Sequence, residues 1–229
     1  MACCQMSVIK KLPLLVFGLA ALAAFAQTND YRIAPGATDN LQAFLNKPGP
    51  VQPAIVSPLG KNWFYLVTDA QVFSDEVSIS QIITVLTDWD NHTTYFQSKK
   101  NRLQSAVVER NAGEFIIDFT AITPVLGFQI KTPYRASAKI SENTGASVYA
   151  DIRQLDSDSA SNNTIKHLVA SRYAQEITVG GRTYTYIRFY IAHELNASIL
   201  PAARSILQRS ADDAIVETLH MIIAAAKGK

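Results

Sequence analysis

Beyond its first sixty residues, the chain alternates apolar and polar positions in a way that predicts strands and two helices. Residues 63–73 are rich in aromatic and β-branched side chains, which is typical of a β-strand. Ser78 then begins a segment with apolar residues at helical spacing. These residues are Ile79, Ile82, Ile83 and Leu86. The pattern therefore predicts a strand followed by a helix.

Six further strand-like runs follow, with no gap long enough for a helix. They span 102–110, 114–122, 128–141, 147–155, 164–179 and 183–195. Three connections, 111–113, 142–145 and 180–181, contain residues that tolerate positive φ, as tight hairpins require. Because parallel pairing would need helical crossovers, we predict an antiparallel sheet. The small and polar residues 156–163 predict a longer exposed loop.

The last predicted element is also the longest. Over residues 199–227, apolar side chains recur every three to four positions, with Ser198 as the N-cap and Gly228 as the end. The apolar stripe contains Leu200, Ala203, Leu207, Ala211, Ile215, Leu219, Ile222 and Ala226. An amphipathic helix of this length needs a large apolar surface to lie on, and the sheet is the only candidate.

The N-terminus has the pattern of a secretory signal peptide. Residues 1–26 contain a basic pair, Lys10 and Lys11, and then an uncharged apolar run that ends in the small residues Ala24 and Ala26. The run is short for a membrane-spanning helix. We therefore expect cleavage near Ala26 and a mature protein that is secreted or periplasmic.

Residues 27–60 contain five of the nine prolines of the chain. Because proline donates no backbone hydrogen bond, this composition predicts an irregular N-terminal arm, not a regular helix or a central strand. A short helix is expected within it at 39–45. The arm either packs across the domain, predicted to span 61–229, or tethers it to a membrane or a partner.

The composition of the mature chain narrows the classes of function. Removing the two basic residues of the signal leaves 19 basic and 19 acidic residues, which argues against a nucleic-acid-binding protein. Cys3 and Cys4, the only cysteines, also lie in the signal, so disulfides and thiol chemistry are not expected. No two of the four histidines have the spacing of metal ligands on one element. We predict no metal site and no cofactor.

The order of these elements resembles the helix-grip fold of the START-like, polyketide-cyclase-like (SRPBCC) superfamily. The local match is strongest in the Val-Leu-Thr-Asp-Trp segment 85–89, followed by Tyr95 and Phe96. A second match is the strand pair around Gly180 and Gly181, which leads into the last helix. The resemblance implies an α+β fold in which a curled antiparallel sheet of about seven strands wraps around the C-terminal helix and leaves an apolar tunnel.

Strand alternation and the helical stripe suggest which side chains would line such a tunnel. The candidates are Trp89, Tyr95, Phe115, Ile117, Phe119, Ile187, Phe189, Ile191, Ala203, Leu207 and Ala211. The same alternation places Arg188 on the outer face of its strand. Small residues on a helix that faces a sheet suit either a ligand cavity or close packing.

Few residues suggest catalysis, and none is assigned to it. The weak candidates are Asp88, His92 and Asp118. The simpler interpretation is that Asp88 ends a helix and Asp90 holds a turn. Asp118 interrupts an apolar strand and points either into a cavity or toward solvent.

Three hypotheses follow, and the first is preferred. It is an exported, non-catalytic protein that binds a hydrophobic small molecule, such as a lipid or an isoprenoid, between sheet and helix. The second is a cyclase-like or hydrolase-like enzyme that uses the same cavity. The third is an interaction module of the cell envelope with residues 27–60 as its contact segment. The fold alone does not choose among them.

Overall fold

A computed structural model describes residues 31–59, 63–98, 102–125, 128–155, 165–196 and 204–229. The predicted signal peptide, the predicted loop 156–163 and the predicted helix start at 199–203 lie outside these ranges. The strands are β1 Gly49–Pro58, β2 Trp63–Ser74, β3 Arg102–Asn111, β4 Glu114–Val125, β5 Phe128–Asn143, β6 Ser147–Gln154, β7 Ile165–Val179 and β8 Arg182–Asn196. The helices are α1 Leu41–Phe44, α2 Ile79–Thr87, α3 His92–Tyr95 and α4 Arg204–Lys227.

The eight described strands form one antiparallel sheet in the order β1-β2-β8-β7-β6-β5-β4-β3. The three predicted hairpins connect β3 to β4, β5 to β6, and β7 to β8. Their glycines Gly113, Gly145, Gly180 and Gly181 have φ values of 78°, 79°, 58° and 78°. Residues other than glycine rarely adopt such positive values. The antiparallel sheet is confirmed, with one strand more than predicted.

The additional strand, β1, lies in the segment predicted to be irregular. It contains Pro50, Pro53 and Pro58, and its register with β2 shifts twice between Pro50 and Ile55. Because β1 is an edge strand, one of its sides has no neighbouring strand and needs no backbone hydrogen-bond donor, so prolines are tolerated there. The prediction of irregular structure is therefore wrong for 49–58, and the sheet begins before residue 61.

Helix α2 begins where the sequence predicts. The Ser78 hydroxyl accepts a hydrogen bond from the Gln81 N–H, and the Gln81 side chain accepts one from the Ser78 N–H at 2.9 Å. This reciprocal capping box satisfies two backbone donors that would otherwise lack partners. The buried face of the helix contains Ile79, Ile82, Val85 and Leu86. Capping and periodicity thus agree on the start of α2.

Helix α4 packs on one side of the sheet, against β1, β2 and α2. In its first half, Leu207 and Ala211 lie against an apolar cluster on β1 and β2, and the Asp212 carboxylate accepts a hydrogen bond of 2.8 Å from the Ala54 N–H. Its second half contributes buried residues to the main core. They are Ile215, Leu219, Ile222, Ile223 and Ala226. None of the helices in the described ranges has the length and apolarity needed to cross a membrane.

Residues 31–45, called the N-terminal arm from here on, cross the opposite, outer face of the sheet. Leu41 packs among tyrosines and Phe73. The Ala34 N–H donates to the Tyr186 hydroxyl at 3.0 Å, and the ring of Tyr31 stacks on Tyr190 with centroids 3.7 Å apart. The predicted short helix at 39–45 is confirmed as a 3₁₀ turn continued by α1. This part of the arm packs across the domain.

Beneath the arm lies a buried ion pair. Arg188 Nε and Nη2 donate to the two carboxylate oxygens of Asp69 at 2.9 and 2.6 Å, and the two side chains are 8% and 3% exposed. Burial alone would lower the pKa of Arg188, but the hydrogen bonds and charge of Asp69 raise it overall. Arg188 points outward as predicted, yet the arm removes it from water.

Candidate ligand-binding site

The inner face of the sheet is the face on which α4 packs and toward which Ile187 and Phe189 of β8 point. The strand register continues this face through β7, β6 and β5 to β4. An apolar cluster there, called the inner cluster, is separate from the core beneath the second half of α4. Its buried members are Trp89, Ile117, Phe119, Ala136, Ala138, Ala150, Ile152, Ile165, Leu168 and Ala170.

The centre of the inner cluster is built from small side chains. Four of its ten buried members are alanines, and all four lie on the adjacent strands β5, β6 and β7. Larger apolar residues around them keep part of their surface accessible: Leu103, Val107, Phe115, Tyr134, Ile191 and Leu195. The inner cluster is thus an apolar surface with small side chains at its centre and larger, partly accessible ones around it.

Arg172 of β7 points toward the same inner face, between Ala150 and Phe189 in the strand register. Its side chain is buried, with 8% of its surface exposed. The guanidinium lies 5.1, 5.2 and 5.3 Å from the ring centroids of Trp89, Phe96 and Phe189. Burial lowers the pKa of Arg172 to about 10, which still leaves it charged at neutral pH. No carboxylate in the described ranges forms an ion pair with it.

His92 forms a hydrogen bond to one side of the Arg172 guanidinium. Its Nε2 lies 3.3 Å from the Val85 carbonyl oxygen, so Nε2–H is the donor, and Nδ1 accepts from Arg172 Nη1 at 3.4 Å. Burial, together with the charge of Arg172, holds the pKa of His92 well below its ordinary value. The imidazole is therefore neutral and acts as a hydrogen-bond acceptor toward Arg172.

Tyr134 and His193 point to the same inner face of the sheet. Burial raises the pKa of Tyr134 to about 12 and lowers that of His193 to about 4, and both side chains retain some accessible surface. In the described ranges, the buried atoms Trp89 Nε1, Gln154 Oε1 and His193 Nδ1 have no hydrogen-bond partner.

The structure separates the three catalytic candidates. Asp118 points to the outer face, where Arg135 donates to it at 2.6 and 2.8 Å and lowers its pKa. Asp88 follows the end of α2, as predicted, and accepts hydrogen bonds from Tyr95 and Asn91 at the surface. His92 alone faces the interior. Within the described residues, no three His, Cys, Asp or Glu side chains are placed to hold a metal ion.

The candidate lining residues fall into three groups. Trp89, Ile117 and Phe119 belong to the inner cluster, and Phe115 and Ile191 pack against it. Ile187, Phe189 and the partly buried Tyr95 lie in the main core. Leu207 and Ala211 lie against β1 and β2, and Ala203 is outside the described residues.

Arg172 was not among the residues predicted from sequence, although a signal for it exists. On β7, Leu168, Ala170, Arg172 and Ala174 occupy alternate positions, and the other three are apolar. A charged residue in phase with small apolar neighbours predicts a buried cation.

The buried His193 predicts a pH-dependent stability. Its pKa is about 4 in the folded protein and about 6.5 in an unfolded chain. Between these values the unfolded chain binds more protons, so stability falls as the pH falls below about 6.5. The His193→Gln variant should therefore lose less stability than the wild type, by about 1–2 kcal/mol, on moving from about pH 7.5 to about pH 5.

Urea unfolding at the two pH values measures this difference. His220→Gln, at an exposed position on α4, is the matched control and should keep the wild-type pH dependence. His92 acts in the same direction, so His193→Gln removes only part of the effect. Identical pH dependence in wild type and His193→Gln would contradict the assignment of a buried neutral histidine.

Solved structures of other proteins share this architecture. TTHA0849 from Thermus thermophilus matches with a TM-score of 0.50 and 11% identity, over 70% of this chain and 96% of that one. Human STARD10 matches with a TM-score of 0.50 and 8% identity, over 76% of this chain and 73% of that one. The STAR-related lipid transfer protein fragment from Xanthomonas axonopodis has a TM-score of 0.47 and 9% identity, over 77% and 98%.

No protein-family model and no curated protein sequence matches the chain. At identities near 10%, a structural likeness establishes the fold alone. The eight-stranded antiparallel sheet, the helix between its second and third strands and the long C-terminal helix agree with that likeness. The chain therefore has an α+β fold of the helix-grip type, which agrees with the fold expected from the order of its sequence elements.

Proposed function

We propose that the protein is exported and that it binds a hydrophobic small molecule, such as a lipid or an isoprenoid, against the inner cluster. The helix-grip fold is consistent with a hydrophobic ligand. The observation that carries the proposal is the alanine-centred inner face, whose surrounding apolar side chains remain partly accessible. A ligand there would gain about 25 cal/mol for each Å² of apolar surface removed from water.

The geometry favours binding over catalysis. Asp118 lies on the outer face in an ion pair, and Asp88 holds a surface turn. His92 faces the interior, so the three side chains do not converge on one cavity in the described residues. Ala34, Ala37 and Leu41 of the N-terminal arm pack on its own sheet, which leaves these side chains unavailable for contact with a partner.

Export rests on the N-terminal pattern of a basic pair, an apolar run and small residues before position 27. Expression of the full chain in a host that processes signal peptides tests it. The exported fraction should contain a protein whose N-terminal residue is Gln27. Exclusive recovery of the uncleaved chain from the cytoplasm would contradict export.

Ligand binding is tested by organic extraction of the purified protein and mass spectrometry, and by titration with the neutral probe N-phenyl-1-naphthylamine. Val107 lies at the rim of the inner cluster, whereas its neighbour Val108 is 53% exposed. Val107→Trp should therefore displace the extracted ligand and weaken probe binding about tenfold, because it fills apolar space. Val108→Trp, the matched control on the same strand, should leave both unchanged.

An empty extract together with no probe binding by the wild type would overturn the proposed function. Equal effects of the two tryptophan variants would show that binding takes place elsewhere. Thermal unfolding of both variants verifies that each still folds cooperatively.

A further inference from the structure

The most unusual group of the inner face is the charge of Arg172, which has no counter-ion among the described residues. Removing a guanidinium from water costs several kcal/mol unless an opposite charge or hydrogen bonds compensate. The other buried guanidinium, Arg188, has the carboxylate of Asp69 at 2.6 and 2.9 Å. In the described part of the chain, Arg172 has no such carboxylate. Among the described residues, its buried charge therefore has three aromatic rings and one histidine around it but no counter-ion.

The groups around Arg172 satisfy it incompletely. A guanidinium has five N–H donors, and in the described ranges one of its nitrogens, Nη1, bonds to His92 at 3.4 Å. The rings of Trp89, Phe96 and Phe189 stabilise the cation through their faces but accept no conventional hydrogen bond. Nε and Nη2 have the fork geometry that binds a carboxylate or phosphate with two parallel bonds.

Tyr134 adds a neutral hydroxyl to the same region. It packs against the inner cluster and retains accessible surface there, and the charge of Arg172 is close enough to act on its phenol. Burial keeps that phenol protonated, because its pKa is raised to about 12. The hydroxyl is thus a donor near the guanidinium, whereas His92 is neutral and already engaged with Arg172 and Val85.

From these contacts we infer that the ligand is an amphipathic anion, whose carboxylate or other oxyanion pairs with Arg172 while its hydrocarbon lies on the alanine-centred inner cluster. This inference rests on the proposed function and specifies the ligand class of the same site. A neutral hydrocarbon would leave the charge of Arg172 without a partner. An oxyanion supplies both the missing negative charge and acceptors for the free N–H groups.

The test uses two probes that share a chain and differ in the head group: dodecanoate and dodecan-1-ol. Each displaces N-phenyl-1-naphthylamine from the delipidated protein in a fluorescence titration at about pH 8, where the acid is ionised. Dodecanoate should bind the wild type about tenfold to a hundredfold more tightly than dodecanol, as expected for hydrogen bonds to a charged group.

Arg172→Gln should remove this preference by weakening dodecanoate, with dodecanol changed by less than about threefold. Arg172→Lys keeps the charge but loses the fork, so it should retain part of the preference. Arg153→Gln replaces an arginine exposed on the outer face of the adjacent β6 and should behave as wild type. Equal affinities of the wild type for the two probes would contradict the inference even if an Arg172 variant failed to fold.

The outcomes separate the two proposals. Equal wild-type affinity for dodecanoate and dodecanol would overturn the inferred anion while leaving hydrophobic binding intact. Failure of both probes and of N-phenyl-1-naphthylamine to bind would overturn the proposed function itself. A preference that persists in Arg172→Gln would assign the anion to another residue and would also overturn the inference.

Discussion

Replacing Asp69 with alanine is expected to lower the free energy of unfolding by about 3–5 kcal/mol. The substitution leaves the guanidinium of Arg188 buried beneath the N-terminal arm without its counter-ion. The neighbouring Tyr31 and Tyr190 rings restrict the movement by which the guanidinium could reach water. Urea unfolding at neutral pH, followed by circular dichroism, measures the loss.

The outer face provides a matched control in Asp118 and Arg135. This pair has the same two-bond geometry on the same sheet, but its side chains are 48% and 49% exposed. Asp118→Ala should therefore cost less than about 1 kcal/mol. The double variant Asp69→Leu with Arg188→Met should regain most of the stability, since it leaves no buried charge. A similar cost for Asp69→Ala and Asp118→Ala would contradict the role of burial.

Trp89→Ala is expected to destabilise the protein by about 3–5 kcal/mol. The side chain is 1% exposed, its ring lies 4.4 Å from that of His92, and it forms one wall around Arg172. Truncation removes this apolar area and leaves a cavity beside a buried charge. The free energy of unfolding from urea titration measures the effect.

Trp89→Phe is the informative companion variant. The Nε1 atom of Trp89 has no hydrogen-bond partner in the described residues, so the indole N–H contributes no bond that phenylalanine would lose. We expect Trp89→Phe to cost less than about 2 kcal/mol, from lost volume alone. A cost for Trp89→Phe equal to that of Trp89→Ala would show that Nε1 makes a stabilising contact.

Local patterns in the sequence were sufficient for most of the elements. Ser78 and Gln81 form the capping box that starts α2, and glycines at 113, 145, 180 and 181 provide the positive φ of three hairpins. These signals act over a few residues, so no knowledge of tertiary contacts is needed. Strand β1 was missed because its prolines are tolerated only at a sheet edge, and edge position is a property of the whole sheet.

The candidate site was predicted less well, for a similar reason. Alternation placed Phe115, Ile117 and Phe119 on one face, and the structure brings them to the inner cluster. Alternation also places Arg172 in phase with Leu168, Ala170 and Ala174, so its face could be predicted. Its place among three aromatic rings and His92 follows from tertiary packing, which has no local signal in the sequence. Leu207 and Ala211 lie against β1 and β2, because the axis of α4 relative to the sheet follows from packing and not from periodicity.

The strand order has a consequence for folding while the chain is being made, because synthesis starts at the N-terminus. β2 lies between β1 and β8, so one of its two neighbours is among the last strands to be made. Until residue 196 has emerged, β2 keeps an open edge and Asp69 remains in water. Asp69 and Arg188 are 119 positions apart and lie on these two strands. The pairing of β2 with β8 is therefore the step that brings the carboxylate and the guanidinium together.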